Sequence, residues 1–209
     1  MYAEDKTAPP FALARASSDN EYSMLACLCS RIALQTMTKM ALRRVPNLAC
    51  IAGDAIKVLS NHVPPASLTQ VVINFPEPPL WSGGDGESKT HLLTPDFFLL
   101  VHAALKKKGT MCILSDNVRY AITVARTIAR LTFDGVEGGK KCFKKATVET
   151  GVHSGTVNVH QIVEGIPLHC GLPGPECGHR VEAESYFDRL WQHGNHKKRF
   201  FLFVRKVGL

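Results

Sequence analysis

The chain has 209 residues, 45% of them hydrophobic and 21% charged, with a formal net charge of +7. That length suits a domain with a sizeable core, and that balance excludes an intrinsically disordered chain. No apolar run approaches the roughly 20 residues a membrane helix needs, and the first residues lack the apolar core of a secretory signal.

Residues 9–16, PPFALARA, have helical character after two prolines, and 21–28, EYSMLACL, read as a buried strand. In 30–45 the apolar Ile32, Leu34, Met37, Met40, Ala41 and Leu42 face away from basic residues, as in an amphipathic helix that Pro46 ends. A strand and turn follow over 47–55, a short helix over 55–63 and a strand over 67–75. The spacing predicts a helix over 94–109, with Thr94 as N-cap, Pro95 at the first position and Gly109 as terminator. A strand over 110–116 leads into a helix over 117–131. Residues 133–165, rich in Gly, Lys and alternating Val, suggest a hairpin or an irregular insert, and 198–206 form a last strand. Strand–helix alternation from 9 to 131 implies βα units and a mainly parallel α/β sheet, in one domain over 1–209 with an insert at about 133–184.

Cysteines stand at 27, 29, 50, 112, 142, 170 and 177, an odd count in irregular spacing. Cys27, Cys50 and Cys112 fall inside apolar runs, which fits buried thiols in a reducing compartment, cytoplasmic or nuclear. HCGLPGPECGH, 169–179, holds ligand types that tetrahedral zinc uses, but without a CxxC or a second pair at finger spacing it reads as a Gly/Pro-rich loop. No metal site is expected. The net charge permits a nucleic-acid partner, though alone it fits an ordinary basic surface. Trp81 and Trp191 could stack on a base or pack under a loop.

An acid follows each of three successive predicted strands: Asp54, Glu77 and Asp116. Ligands bind at the carboxyl ends of strands in open α/β sheets, so these acids mark a candidate functional rim. Glu77 lies in NFPEPP, between Pro76 and Pro78. Proline fixes φ and pushes its predecessor into an extended form, so the carboxylate sits on a stiff segment.

NFPEPP, followed by an insert and then LLTPDFFLLVHAALKKKGTMCILSDNVRYA, resembles the tRNA (guanine-N7)-methyltransferase family. NLACIAGDAIKVL and SYFDRLWQHG resemble further segments of it. The resemblance implies a Rossmann-like α/β methyltransferase fold and S-adenosylmethionine as methyl donor. It also implies tRNA as substrate and, from eukaryotic members, a WD-repeat partner subunit. By position, Glu77 corresponds to the signature acid between methyl donor and guanine. Asp54 and Ala55 would flank the cofactor's adenine with Asn74 beside it, and Cys27 and Leu28 fall where strand two meets the cofactor. Asp116, Ser185, Asp188 and Lys89 would serve the RNA substrate.

The sequence departs from that pattern at several points. The first glycine is Gly53, so the family's first strand and glycine loop are not expected. Cys27 stands where the family has an acid for the ribose hydroxyls, and a thiol is a poor acceptor for two hydroxyls. Glu77 replaces an Asp. The basic stretch after the signature keeps only Lys89 and His91, for which 106–108 or 140–145 could compensate. These departures leave a second expectation beside the enzyme: a catalytically inactive homologue acting as an RNA-associated or scaffolding subunit.

Overall fold

The computed structural model describes residues 12–18, 21–28, 48–79, 91–133, 139–148, 157–177 and 198–207, together with Thr38 and Leu42, both helical. The rest of the helix expected over 30–45 lies outside the described residues.

The strands are β1 (Ala12–Ser18), β2 (Glu21–Leu28), β3 (Leu48–Ala52), β4 (Leu68–Asn74), β5 (Leu105–Ser115), β6 (Thr132–Phe133), β7 (Lys140–Lys141), β8 (Phe143–Lys145), β9 (Asn158–Val163), β10 (Ile166–Cys170) and β11 (Phe200–Lys206). The helices are α1 (Ala55–His62), α2 (Pro95–Ala104) and α3 (Val118–Arg130), with a 3-10 turn at Pro175–Cys177. Nine strands form one sheet in the order β3-β2-β1-β4-β5-β11-β10-β9, with β8 beside β11. With helices between its parallel strands this is a Rossmann-like α/β architecture.

The sheet is mixed rather than mainly parallel. Parallel pairing joins β2 to β3 and β4 to β5, while the other described pairs of this sheet are antiparallel. The cause lies largely in residues 12–18, which form a strand and not the helix expected over 9–16. Ser18 pairs with Glu21, so the two strands run antiparallel along their whole length. The hairpin turns β1 back against β2, and β4 flanks its other side, so β1 fills the position between them in reversed direction. Pairing on both sides outweighs the modest helix preference of Ala, Leu and Arg.

Helix α2 also ends earlier than its pattern suggests. Thr94 Oγ1 accepts from Phe97 N at 3.3 Å, as an N-cap should, but the helix stops at Ala104. Leu105 pairs with Leu68 and Thr110 with Gln70, so 106–109 loop out of β5 as a bulge. Lys108 takes φ +65, and a Cβ on Gly109 would stand 2.9 Å from the Lys106 carbonyl. Lys206 Nζ donates to Leu105 O at 2.7 Å and so serves the end of α2.

The segment expected as a hairpin or irregular insert supplies β7 and β8, then the hairpin β9–β10, which extends the main sheet beyond β11. Strand β10 was not legible in the Gly/Pro-rich sequence around it.

One face of the sheet packs Ile73, Ile113 and Leu202 against α1, α2 and α3 through Val58, Phe97, Phe98, Tyr120 and Val124. The other face gathers Val72, Cys112, Leu114, Phe201, Phe203 and Cys177. Cys112 and Cys177 are fully buried, and their mutual contact together with burial pushes the Cys177 thiol up, so it stays protonated. Among the described residues, no helix is long and apolar enough to cross a membrane.

Candidate functional site

The carboxyl ends of β2, β3, β4 and β5 and the amino ends of β1 and β11 share one edge of the sheet. Leu28 is level with Ala52, Ala12 with Ile73, Asn74 with Leu114, and Ser115 with Phe200. Asp54, Glu77 and Asp116 follow β3, β4 and β5, so all three stand along this rim. At about 4.8 Å per strand step, β5 is one step from β4 and β3 is three steps away, about 14 Å. An elongated ligand of nucleoside and amino-acid parts spans such a distance.

Asn74 ends β4 with its Oδ1 buried and without a hydrogen-bond partner. A buried acceptor left in that state costs free energy, and native proteins rarely tolerate it without a use. Its neighbour Phe75 adopts φ +50, where a bulky residue is strained and where a residue before proline is not expected. The Phe75 N–H is held by Leu114 O at 3.0 Å and its ring is buried. Pro76 is buried, Glu77 exposed, and Pro78 and Pro79 half-buried. The prolines therefore root the segment in the protein and leave the carboxylate exposed to solvent three residues after Asn74.

After β5, Ser115 Oγ accepts from Asn117 N at 3.1 Å, and Asn117 Oδ1 accepts from Tyr120 N at 3.1 Å, capping α3. Asp116 stands half-buried between these two anchors. Asp54 caps α1: its Oδ1 accepts from Ile56 N at 2.8 Å and Lys57 N at 3.2 Å, which leaves Oδ2 for a ligand. Ala55 is buried at the first turn of that helix. Cys27 and Leu28 are placed by their backbones at the rim end of β2. Ser185, Asp188 and Lys89 lie outside the described residues, as do Trp81 and Trp191.

Sequence reasoning missed the Tyr120 hydroxyl, which meets His91 Nδ1 at 3.3 Å with the rings edge to face. Burial pushes the Tyr120 phenol up and the His91 imidazole down, so both are neutral near pH 7. His91 is accordingly a neutral hydrogen-bonding group near pH 7.

His169 lies buried on β10, its ring stacked on Phe201 at 4.9 Å, with neither nitrogen partnered. Cys177 lies instead beside Cys112. Among the described residues, no group of three or more His, Cys, Asp or Glu is arranged for a metal.

Burial lowers His91, His102 and His169 from the usual 6.5, and Lys206 further lowers His102. The unfolded chain then binds these protons more readily than the fold does. Their contribution to stability is whole above about pH 6.5 and is lost as pH falls below it. The melting temperature is expected to drop on acidification from pH 6.5 to 5, and less so in His169→Leu. Equal slopes in thermal scans of the two proteins would show that His169 takes no part.

A family profile described as "Putative methyltransferase" matches residues 11–150, which contain the whole rim from β1 to β5. The chain belongs to this family. It is similar to the tRNA (guanine-N(7)-)-methyltransferase of Rhodococcus jostii, 33% identical over 91 residues, covering 44% of this chain and 34% of the relative. Proteins of the same name from Arthrobacter sp. and Paenarthrobacter aurescens are 28% and 26% identical over 137 residues, covering 65% of this chain and 41% and 44% of those relatives. The chain thus spans less than half the length of each. For a putative methyltransferase the rim is only partly furnished. Asn74 Oδ1 and Asp54 Oδ2 fit a ligand bearing amino or hydroxyl donors, whereas the end of β2 offers no carboxylate and β1 reaches the rim with its amino end.

Proposed function

We propose that this chain transfers a methyl group from S-adenosylmethionine to N7 of a guanine in tRNA. The observation that carries the reading is the orphaned Asn74 Oδ1 at the end of β4, followed by the proline-held Glu77, both within the family-matched residues. The names of the relatives supply the substrate class.

S-adenosylmethionine, when bound, supplies an electrophilic methyl on a sulfonium. Asn74 Oδ1 accepts a hydrogen bond from an amino donor of that molecule, and Asp54 with Ala55 flanks its adenine. Guanine N7 carries its own lone pair, so the residues need not remove a proton before attack. Their work is alignment. The Glu77 carboxylate accepts hydrogen bonds from guanine N1–H and its 2-amino group and turns N7 toward the methyl. Asp116, one strand away, borders the same base. A WD-repeat partner remains an expectation of the resemblance alone, and none of the relatives above carries one in its name.

Calorimetric titration with S-adenosylmethionine, followed by methyl transfer to an unmodified tRNA transcript and mapping of the modified base, tests the proposal. Micromolar binding and methylation at guanine N7 are expected. A folded protein that binds none of the cofactor would overturn it in favour of the non-catalytic homologue.

Asn74→Leu offers a second check. Removing an unsatisfied acceptor should stabilise the fold by about 1 kcal/mol, raising the melting temperature by about 3 °C, while cofactor affinity falls at least about tenfold. A variant that loses stability and keeps affinity would place Asn74 in the scaffold instead.

A further inference from the structure

The edge of the sheet opposite the rim is densely basic. Lys107 and Lys108 stand on the β5 bulge, Lys140 and Lys141 form β7, and Lys144 and Lys145 lie on β8; all six are exposed. Pairing sets the β8 lysines at this end of β5 across β11: Thr110 is opposite Arg205, Arg205 opposite Lys144, and Val204 opposite Lys145, while β7 pairs with β6. Five residue steps along β5 lead from Thr110 to Ser115 at the rim, about 17 Å at 3.3 Å per residue.

We infer that this edge is a second RNA contact, a docking surface for phosphodiester backbone remote from the reacting base. The inference rests on the RNA substrate proposed above. Cations at helix carboxyl ends are expected from the helix dipole, but Lys206 and Arg130 already fill that role for α2 and α3. Of the nearby described carboxylates, Glu164 is bound by Arg130 at 3.0 Å and also faces the charge of Lys141, and Glu176 accepts from the Cys177 thiol at 3.7 Å, so Lys107, Lys108, Lys144 and Lys145 carry the surface charge. Between them on β11, the buried Arg205 Nε has no acceptor among the described residues, a donor suited to a phosphate oxygen. Lys108 holds a backbone conformation that glycine adopts more readily, so the fold retains a side chain there against its own backbone preference. Lysine is depleted in protein–protein interfaces, whereas counterion release rewards it on a nucleic acid.

The test is fluorescence anisotropy of an end-labelled, unmodified tRNA transcript with the full chain at rising KCl. The wild type is compared with a quadruple variant, Lys107→Ala, Lys108→Ala, Lys144→Ala and Lys145→Ala, and with Lys108→Gly. Each lost phosphate contact lowers the slope of log affinity on log salt by about 0.7–0.9, so the quadruple variant should lose about 3 and Lys108→Gly about 0.8. Lys108→Gly should melt at the wild-type temperature or above, separating charge from folding. Cofactor binding should not change in either variant. Retained slopes alongside intact methyl transfer would overturn the docking edge and leave the methyltransferase reading standing. Lysine-dependent RNA binding without methyl transfer would support the edge and remove that reading. No RNA binding by the wild type in 50 mM KCl would overturn the edge.

Discussion

Glu77→Ala is expected to lower kcat for tRNA methylation by at least about a hundredfold while leaving the fold intact. Loss of a single preorganised electrostatic group at a reacting centre typically costs about 10²–10³ in rate. The rest of the expectation comes from placement. Glu77 is exposed, so its removal deletes almost no packing, and the backbone around it is set by Pro76, Pro78 and the Phe75 N–H. The melting temperature should therefore stay within the range of ordinary surface changes, about 0.5 kcal/mol. Glu77→Gln keeps the length of the arm but replaces an acceptor facing two guanine donors with a mixed group, so it should be nearly as inactive. Single-turnover methylation at saturating cofactor is the measurement. Turnover near the wild-type value in both variants would remove Glu77 from the site.

The second large effect is on stability. Phe201→Ala should destabilise the protein by about 3–5 kcal/mol, a large share of the 5–15 kcal/mol typical of folded domains. Phe201 is 1% exposed and joins Leu114, Cys112 and Cys177 on the second face of the sheet. It also lies in a cross-strand row with Asn74, Leu114 and His169, and its ring covers the imidazole. Removing it should let water reach His169, so the variant should also lose part of its acid sensitivity. Urea denaturation at pH 7 and pH 5 reads both effects. A cost below about 1 kcal/mol would mean that this face relaxes to fill the gap.

The elements legible in the sequence were those with local signals. Thr94 announces α2 because its side chain caps the helix it precedes, and the pattern over 117–131 marks α3, whose cap Asn117 only the structure shows. Strand β4 is a buried run of β-branched residues, and the acids after β3, β4 and β5 follow from strand ends alone. What stayed hidden depends on distant partners. Residues 12–18 are a strand because β2 and β4 flank them, and 106–109 leave the helix because Leu105 pairs with Leu68. The left-handed Phe75 runs against the preference of a residue before proline. The His91–Tyr120 contact joins positions 29 residues apart. No pattern in the sequence announces an acceptor without a donor, so the condition of Asn74 Oδ1 was readable only from the fold.

The reversed direction of β1 also bears on how quickly the sheet can assemble. A parallel β1–β2 pair would need a crossover of a dozen or more residues before its first hydrogen bond, whereas this antiparallel pair begins at Ser18 and Glu21, three positions apart in the chain. Hairpins of that kind form in about 1–10 μs, and contacts close in sequence carry a small loop entropy. The hairpin can thus exist before α2 has brought β4 and β5 together, and one exposed side of β1 then waits as a template for β4. Two of the rim's six strand ends are assembled on that local timescale, and the part that carries Glu77 is added to them.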